Sequence, residues 1–162
     1  MIGGNGYGEV LSRDVVLPQR ELYIRWLQLT AYLPTMQFSF APWDYDAEVI
    51  QMAFDMVKIH ETVVTPLLVT AAKDTVKYGY PIIRPMWWVD PDDNETYTID
   101  SQFMIGSSLL VAPIVDFGGR HRDIYLPKGT WRDNLNRQNI DGGRWLKKYR
   151  IDLNQIATFQ LL

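Results

Sequence analysis

Apolar side chains recur at helical spacing in the first half of the chain. The stretch from about Gln19 to Leu33 is predicted to be a helix, because Pro18 suits its first turn and Pro34 ends it. Four apolar residues spaced by four, three and four positions define one face of that helix: Leu22, Trp26, Leu29 and Leu33. The next segment, Thr35 to Phe40, changes to a period of two, which predicts a short strand.

A second helical pattern follows this short strand. It is predicted to begin near Asp44 or Asp46, since either carboxylate suits an N-cap. Its apolar stripe contains Val49, Met52, Met56, Ile59 and Val63. Pro66 is predicted to break or kink the helix near Val64, and a further helical stretch ends at Gly79.

The pattern after Gly79 favours strands. Residues 81–89 are predicted to be extended, residues 91–95 form an acidic turn, and residues 101–115 and 120–131 are predicted to form strands. A helical half followed by a strand-rich half predicts two architectures, over residues 1–80 and 81–162. Five side chains are expected to fill a sandwich core: Phe103, Ile105, Leu109, Leu110 and Val111. Arg84 is expected to brace the junction through a carboxylate or carbonyl partner.

Composition excludes several classes of function. The 162 residues carry a formal net charge of −3, so the clustered basic face of a nucleic-acid-binding protein is not expected. There is no cysteine, which rules out disulfides and thiolate metal sites. Neither a signal peptide at the N-terminus nor an apolar run of about 18 residues is present in the sequence.

Metal and cofactor sites are not expected either. The acidic turn contains four carboxylates, Asp90, Asp92, Asp93 and Glu95, but it lacks the spacing of a calcium-binding loop. The two histidines, His60 and His121, are far apart and belong to no ligand pattern. From the residues alone, the chain is an α/β piece joined to a β piece.

Six sequence blocks in order carry a resemblance to a known family. They are IGGN (2–5), ELYIRWLQL (21–29), YLPTM (32–36), GYPIIRPMW (79–87), DSQFMIGSSLLVAPIV (100–115) and RDIYLPKGTW (122–131). Together they resemble glycoside hydrolase family 31 over nearly the whole chain. IGGN alone is a weak signal, whereas the ordered set is specific.

The resemblance implies a fold and a reaction. Residues 1–80 correspond to the last strands and helices of a (β/α)8 TIM barrel, and residues 81–162 to a C-terminal β-sandwich domain. Family members are retaining α-glycosidases, in which one aspartate attacks the anomeric carbon and another transfers the proton. Both aspartates precede the IGG motif in the family. We therefore assign no catalytic residue here, and we expect the chain to be inactive without the N-terminal part of the barrel.

The same resemblance implies a set of substrate-binding residues, because barrel active sites lie at the C-terminal ends of the strands. The set comprises Gly3, Gly4, Asn5, Gln37, Ser39 and Trp43. For each, a structural role stays open: a tight turn for the glycines, loop packing for Trp43, and orientation away from the barrel interior for Gln37 and Ser39. The ordinary α-glucosidase branch has a Met-Arg-x-His pattern where this chain has Gln37 and Ser39, which argues against a standard glucose pocket.

Residues 36–49 resemble one branch of the family in particular. That resemblance implies an α-galactosidase-like specificity and an enzyme of the endoplasmic reticulum lumen that is anchored by an upstream transmembrane helix. For the parent enzyme as a whole, the expected substrate is an α-linked galactoside or glucoside. Two alternatives remain: a non-catalytic sugar-binding or regulatory protein of the same fold, and an unrelated β domain carrying two helices. The latter would leave the amphipathic helices without a barrel to cover.

Overall fold

The structure is a computed structural model that describes residues 1–4 and 17–162. Its helices are α1 (Arg20–Thr30), α2 (Ala47–Ile59), α3 (Thr65–Tyr78) and the single turn α4 (Met86–Val89). Its strands are β1 (Ile83–Arg84), β2 (Phe103–Ile105), β3 (Leu109–Ala112), β4 (His121–Leu126), β5 (Thr130–Asp133), β6 (Asn139–Asp141), β7 (Arg144–Arg150) and β8 (Ala157–Leu161). None of the described helices is long and apolar enough to cross a membrane.

The strands form two antiparallel sheets. Six strands pair in the order β1-β2-β3-β8-β5-β6, and β4 pairs with β7 as a separate ribbon. One face of the large sheet shares a core with the ribbon, where Leu110 and Phe159 pack with Ile124. The other face packs against the helices, because successive side chains of a strand point to opposite sides. The large sheet is therefore a middle layer between helices and ribbon.

This layering corrects the predicted sandwich core. Leu110 does pack between the two sheets. Phe103, Ile105, Leu109 and Val111 instead contact the helical core that contains α1 and α2. The run LLVA on β3 is buried at all four positions because both faces of its sheet are covered.

Helix α1 differs from its prediction in length and in buried face. It ends at Thr30, and the next turn closes with shorter-range bonds from Tyr32 N to Leu29 O and from Leu33 N to Thr30 O. Leu22 and Trp26 are exposed, so the predicted apolar face is wrong for these two residues. The buried face is Tyr23, Ile24, Arg25, Leu27, Gln28 and Thr30, whose two long polar side chains bond carbonyls of the C-terminal half.

Helices α2 and α3 follow the sequence prediction, except that Val63, predicted to belong to the apolar stripe, is exposed. Asp46 is the N-cap of α2 and accepts a hydrogen bond from Val49 N at 2.9 Å. Between α2 and α3, residues 60–64 form a π-helical turn, so the predicted kink is a wider turn rather than a break. Pro66 then lies in the first turn of α3. Gly79 ends α3 with φ +76°.

Two predicted extended segments are shorter than expected. Residues 35–40 contain one isolated bridge at Phe38 instead of a full strand. Within residues 81–89, only Ile83 and Arg84 are in a strand, and Met86–Val89 form a helical turn that starts after Pro85. Pro85 has no N–H to extend the ladder, which accounts for the end of β1.

Arg84 has the partners predicted for a buried arginine at the junction. Its side chain is 5% exposed, and its Nη2 lies 3.6 Å from Asp74 Oδ2 on α3. Its Nε donates to Pro81 O at 2.9 Å, and its Nη1 donates to Ser107 Oγ at 2.5 Å. Arg84 thus connects α3 to the β1 and β2–β3 segments of the sheet.

Candidate functional site

The chain start and the segment after α1 lie side by side. Ile2 and Phe38 form a parallel bridge, in which Ile2 N donates to Gln37 O at 2.7 Å and Ser39 N donates to Ile2 O at 3.0 Å. Ile2 is fully buried in the helical core. The bridge brings Gly3, Gly4, Gln37 and Ser39 to one edge of the molecule, as the sequence predicted, whereas Asn5 lies outside the described residues.

Gly3 is required by its backbone conformation and by its neighbours. Its φ is +95°, and a Cβ at this position would lie 2.7 Å from Phe40 Cδ2 and 3.1 Å from Ser39 Oγ. Gly4 also has a positive φ of +74°, but its nearest neighbour is Trp26 at 4.0 Å. The two glycines therefore form a tight turn in which Gly3 is packed and Gly4 is open.

The hydroxyl of Ser39 is held by this turn. Ser39 Oγ lies 2.7 Å from Ile2 O and 2.8 Å from Gly4 O, and its single proton is donated to these two carbonyls in alternation. Gln37 is exposed, and only its backbone carbonyl takes part in the bridge. Gln37 is thus the more accessible hydrogen-bonding side chain of the two.

An open apolar groove of about 490 Å³ lies beside Ser39, between the segment 38–43 and α2. It is lined by Phe38, Ser39, Phe40, Ala41, Pro42, Trp43, Ile50, Ala53, Phe54 and Val57. Trp43 is 73% exposed, on the short helical turn 42–44. The position of this turn is fixed on one side by Tyr23, whose hydroxyl donates to Phe40 O at 2.8 Å.

Charged groups lie at the N-terminus of α2 rather than in the groove. Arg20 donates to Asp46 Oδ2 at 2.6 Å and contacts Glu48 Oε2 at 2.5 Å. The hydrogen bond from Arg20, with that from Val49 N, lowers the pKa of Asp46 to about 2. Burial raises the pKa of the nearby Tyr45 hydroxyl to about 12. These carboxylates are engaged in structural contacts.

The groove by itself is suited to apolar contact. None of its lining residues is charged, and Ser39 carries the one polar side chain among them. Within residues 1–4 and 17–162, no group of three or more acidic or histidine side chains is placed to hold a metal ion. The groove itself supplies no carboxylate for acid–base chemistry on a sugar.

The apolar residues that line the groove, apart from Trp43, were not predicted as part of a site. Sequence reasoning selected polar residues and Trp43, whereas the groove adds Phe38, Phe54 and Val57. Phe54 interrupts the buried stripe of α2 and is 68% exposed. In the sequence, Phe54 could have indicated that a second face of α2 is covered, because a large aromatic side chain is unusual on the polar face of an amphipathic helix.

Comparison with protein families identifies residues 79–160 with the glycosyl hydrolase family 31 C-terminal domain. The chain is 44% identical over 161 residues to the myogenesis-regulating glycosidase of Mus musculus, and the aligned region covers 98% of this chain and 22% of that protein. It is 39% identical over 149 residues to the SITS-binding protein of Tetronarce californica, covering 90% of this chain and 21% of that protein. The chain thus spans about a fifth of the length of these relatives, and the family predicted from the sequence is confirmed.

Solved structures give the same result. A family 31 dextranase from Flavobacterium johnsoniae, complexed with glucose, superimposes with a TM-score of 0.79 at 32% identity, covering 87% of this chain and 18% of that one. The cycloalternan-degrading enzyme from Trueperella pyogenes has a TM-score of 0.83 at 25% identity, covering 92% of this chain and 23% of that one. The arrangement of helices, sheet and ribbon is therefore shared with these enzymes.

Proposed function

Because the chain belongs to glycoside hydrolase family 31, we propose that it is the C-terminal portion of a retaining α-glycosidase and that residues 1–80 complete its barrel. The parallel bridge between Ile2 and Phe38 carries this proposal. Adjacent parallel strands followed by helices are the repeating unit of a (β/α)8 barrel, and α1 and α2 each follow one partner of the bridge. Residues 81–162 then form the β-sandwich domain.

The apolar groove supports the same assignment. Phe38 lines the groove, together with the exposed side chains of Trp43 and Phe54. In a closed barrel, a further strand and helix from the N-terminal part of the barrel, which is not in this chain, cover these side chains. This role also accounts for a groove that is too apolar to hold a sugar unaided.

The substrate-binding role proposed for this chain is limited to the barrel rim. Gln37 offers an exposed amide to sugar hydroxyls, Gly3 and Gly4 bring the backbone close, and the exposed Trp43 offers a ring for stacking. Asn5, proposed from the sequence for the same role, lies outside the described residues. Ser39 supports the turn through Ile2 and Gly4. The attacking and the proton-transferring carboxylate belong to the N-terminal part of the barrel. A retaining mechanism requires these two groups to lie about 5 Å apart.

Hydrolysis assays test this proposal directly. The purified 162-residue chain is expected not to hydrolyse p-nitrophenyl α-galactoside or α-glucoside, whereas the chain joined to its upstream coding sequence is expected to do so. Gln37→Ala in the active protein should raise KM or lower kcat/KM. Turnover by the isolated chain, or unchanged kinetics in the Gln37 variant, contradicts the proposed division of roles.

A non-catalytic binding protein of the same fold is the second candidate. It is favoured by the relative from Tetronarce californica, which is named for binding SITS and not for hydrolysis. Replacement of the two upstream aspartates, together with sugar binding without turnover, would decide for this alternative. Among the curated relatives, the neutral alpha-glucosidase AB of Mus musculus, at 31% identity, favours the enzyme.

Placement in the endoplasmic reticulum lumen is proposed by resemblance, and imaging of the tagged parent protein tests it.

A further inference from the structure

We propose that four exposed aromatic side chains at the junction of α3 and β1 form a second saccharide-binding surface, here called the aromatic strip. The strip consists of Tyr78, Tyr80, Trp87 and Trp88. Their rings contact one another in series, with centroid separations of 5.4 Å, 6.0 Å and 5.9 Å. The inference rests on the proposed function in one respect: the ligand is taken to be a carbohydrate.

All four rings are partly exposed to solvent. The exposed fractions are 53% for Tyr78, 43% for Tyr80, 43% for Trp87 and 38% for Trp88. Contiguous exposed aromatic surface is uncommon in soluble proteins and marks sites of recognition. The strip shares none of its residues with the apolar groove.

Arg84, which is buried, and Thr75 hold the strip in place. The guanidinium of Arg84 lies 5.5 Å from the Tyr80 ring centroid, and Arg84 is itself fixed by Pro81, Ser107 and Asp74. Thr75 Oγ1 donates to the Tyr80 carbonyl at 2.6 Å. Since the surface is organised before a ligand arrives, less ordering entropy is lost on binding.

The polar tips of the rings are available to a ligand. Five other tyrosines and two other tryptophans donate from their hydroxyl or indole N–H to a protein oxygen: Tyr23, Tyr45, Tyr97, Tyr125, Tyr149, Trp131 and Trp145. The four strip residues make no such side-chain bond to any described residue. The exposed part of the ring surface, combined with hydroxyl and N–H groups that bond no described residue, matches a pyranose, which presents C–H faces and hydroxyls.

Charge and size favour a small neutral ligand over a protein. The Lys77 ammonium lies 4.8 Å from the Tyr78 centroid and Arg84 lies beside Asp74, so the nearby cations are already engaged. Rings of roughly 150–250 Å² each, about half exposed, present on the order of 400 Å². A standard protein interface buries about 800 Å² on each partner. The strip is therefore better matched to a short oligosaccharide.

Saturation-transfer NMR of the 162-residue chain with maltotriose tests the proposal. We expect transfer to the sugar C–H protons, and Trp87→Ala or Tyr78→Ala should weaken binding by about tenfold, the equivalent of roughly 1.4 kcal/mol. Phe117→Ala, which removes an aromatic ring that is 71% exposed outside the strip, is the matched control and should leave binding unchanged. Circular dichroism establishes that each variant is folded.

Two results of this NMR assay overturn the proposal. One is the absence of transfer from the folded chain at the solubility limit of maltotriose. The other is equal binding by the Trp87, Tyr78 and Phe117 variants. If Trp87 and Trp88 become inaccessible to acrylamide when the upstream sequence is present, the strip is an internal interface and the proposal is wrong. Because the assay measures binding without turnover, it succeeds or fails independently of the hydrolysis assay.

Discussion

Arg25 donates a hydrogen bond from Nη2 to the carbonyl oxygen of Gly119 at 3.0 Å, across 94 positions of sequence. Its Nη1 donates to Gln155 O at 3.1 Å and reaches Asp152 O at 3.4 Å. The residue is 3% exposed. A buried cation on α1 thus binds carbonyls of two loops of the β half, and this contact fixes the two halves of the chain to each other.

Replacing Arg25 is expected to destabilise the fold severely. Arg25→Met keeps the apolar stem but removes the guanidinium donor to the partly buried Gln155 carbonyl and leaves the Gly119 carbonyl with Arg120 as its side-chain donor, so unfolding should become easier by about 2–4 kcal/mol. Urea denaturation followed by circular dichroism measures the change. The control is Arg150→Ala, which removes an exposed pair with Asp152 and should cost less than about 1 kcal/mol. Equal losses in both variants would remove the assigned role of Arg25.

Gly3 is expected to tolerate no side chain. Gly3→Ala combines a left-handed backbone with a Cβ 2.7 Å from Phe40, so the free energy of unfolding should fall by about 2–3 kcal/mol. Gly118→Ala is the matched control, because its φ is +72° and nothing lies within 4 Å of the added Cβ. It should cost about 1–2 kcal/mol through backbone strain alone. Thermal melts of both variants separate the packing contribution from the strain.

Ser39 is expected to act on the Gly3–Gly4 turn. Ser39→Ala removes the hydroxyl that bonds Ile2 O and Gly4 O, which should lower the free energy of unfolding by about 1 kcal/mol. Ser39→Thr keeps the hydroxyl and should recover most of this loss. Hydrogen exchange at the Ser39 amide, which bonds Ile2 O, reports the local effect. An alanine variant with unchanged exchange and stability would show that the hydroxyl does not support the turn.

Local sequence rules predicted some features of the fold and not others. The Gly79 helix end follows from local rules, and Asp46 is one of the two caps that the sequence offered for α2. For Arg84, the cost of burying a charge predicted the kind of partner, and the structure identifies Asp74 and Pro81 as partners of that kind. The residues that bring the Ile2 and Phe38 segments together were recognised through the family resemblance, since no local pattern pairs segments 36 residues apart.

The failures have a common physical cause. Leu22 and Trp26 have the correct spacing for a buried face, but α1 buries Arg25 and Gln28 because loops that follow much later in the chain supply their acceptors. Likewise, Leu109 and Val111 face helices instead of the ribbon because the sheet is covered on both sides. Periodicity shows that a face exists, and tertiary partners decide which face is buried.

Acid is expected to weaken the contact between α1 and α2. The pKa of Asp46 is lowered from 3.8 to about 2, chiefly by the hydrogen bond from Arg20. Because the folded pKa lies below the unfolded one, the stabilisation is present above pH 3.8 and is lost as pH falls toward 2. Glu21, whose pKa is also lowered by Arg120, adds a loss of the same sign.

Asp46→Asn isolates the contribution of the charge. Asparagine still caps α2 through Val49 N but does not ionise, so the variant should lose part of the dependence of the urea midpoint on pH between about 4 and about 2. Added salt should reduce the same dependence in the parent chain, because the pair is exposed. Identical pH profiles for the parent and the variant would exclude Asp46 as the titrating group.

Residues 1–80 expressed alone are expected to aggregate. Their helical core contains Ile105, Leu109 and Val111 from β2 and β3, and Arg25 bonds carbonyls beyond residue 118, so separation from the β half exposes both apolar surface and buried donors. Size-exclusion chromatography at several concentrations, compared with residues 1–162, measures the effect. A monomeric 1–80 segment with a sharp thermal transition would contradict it and would show that the β half is not needed for the helices to fold.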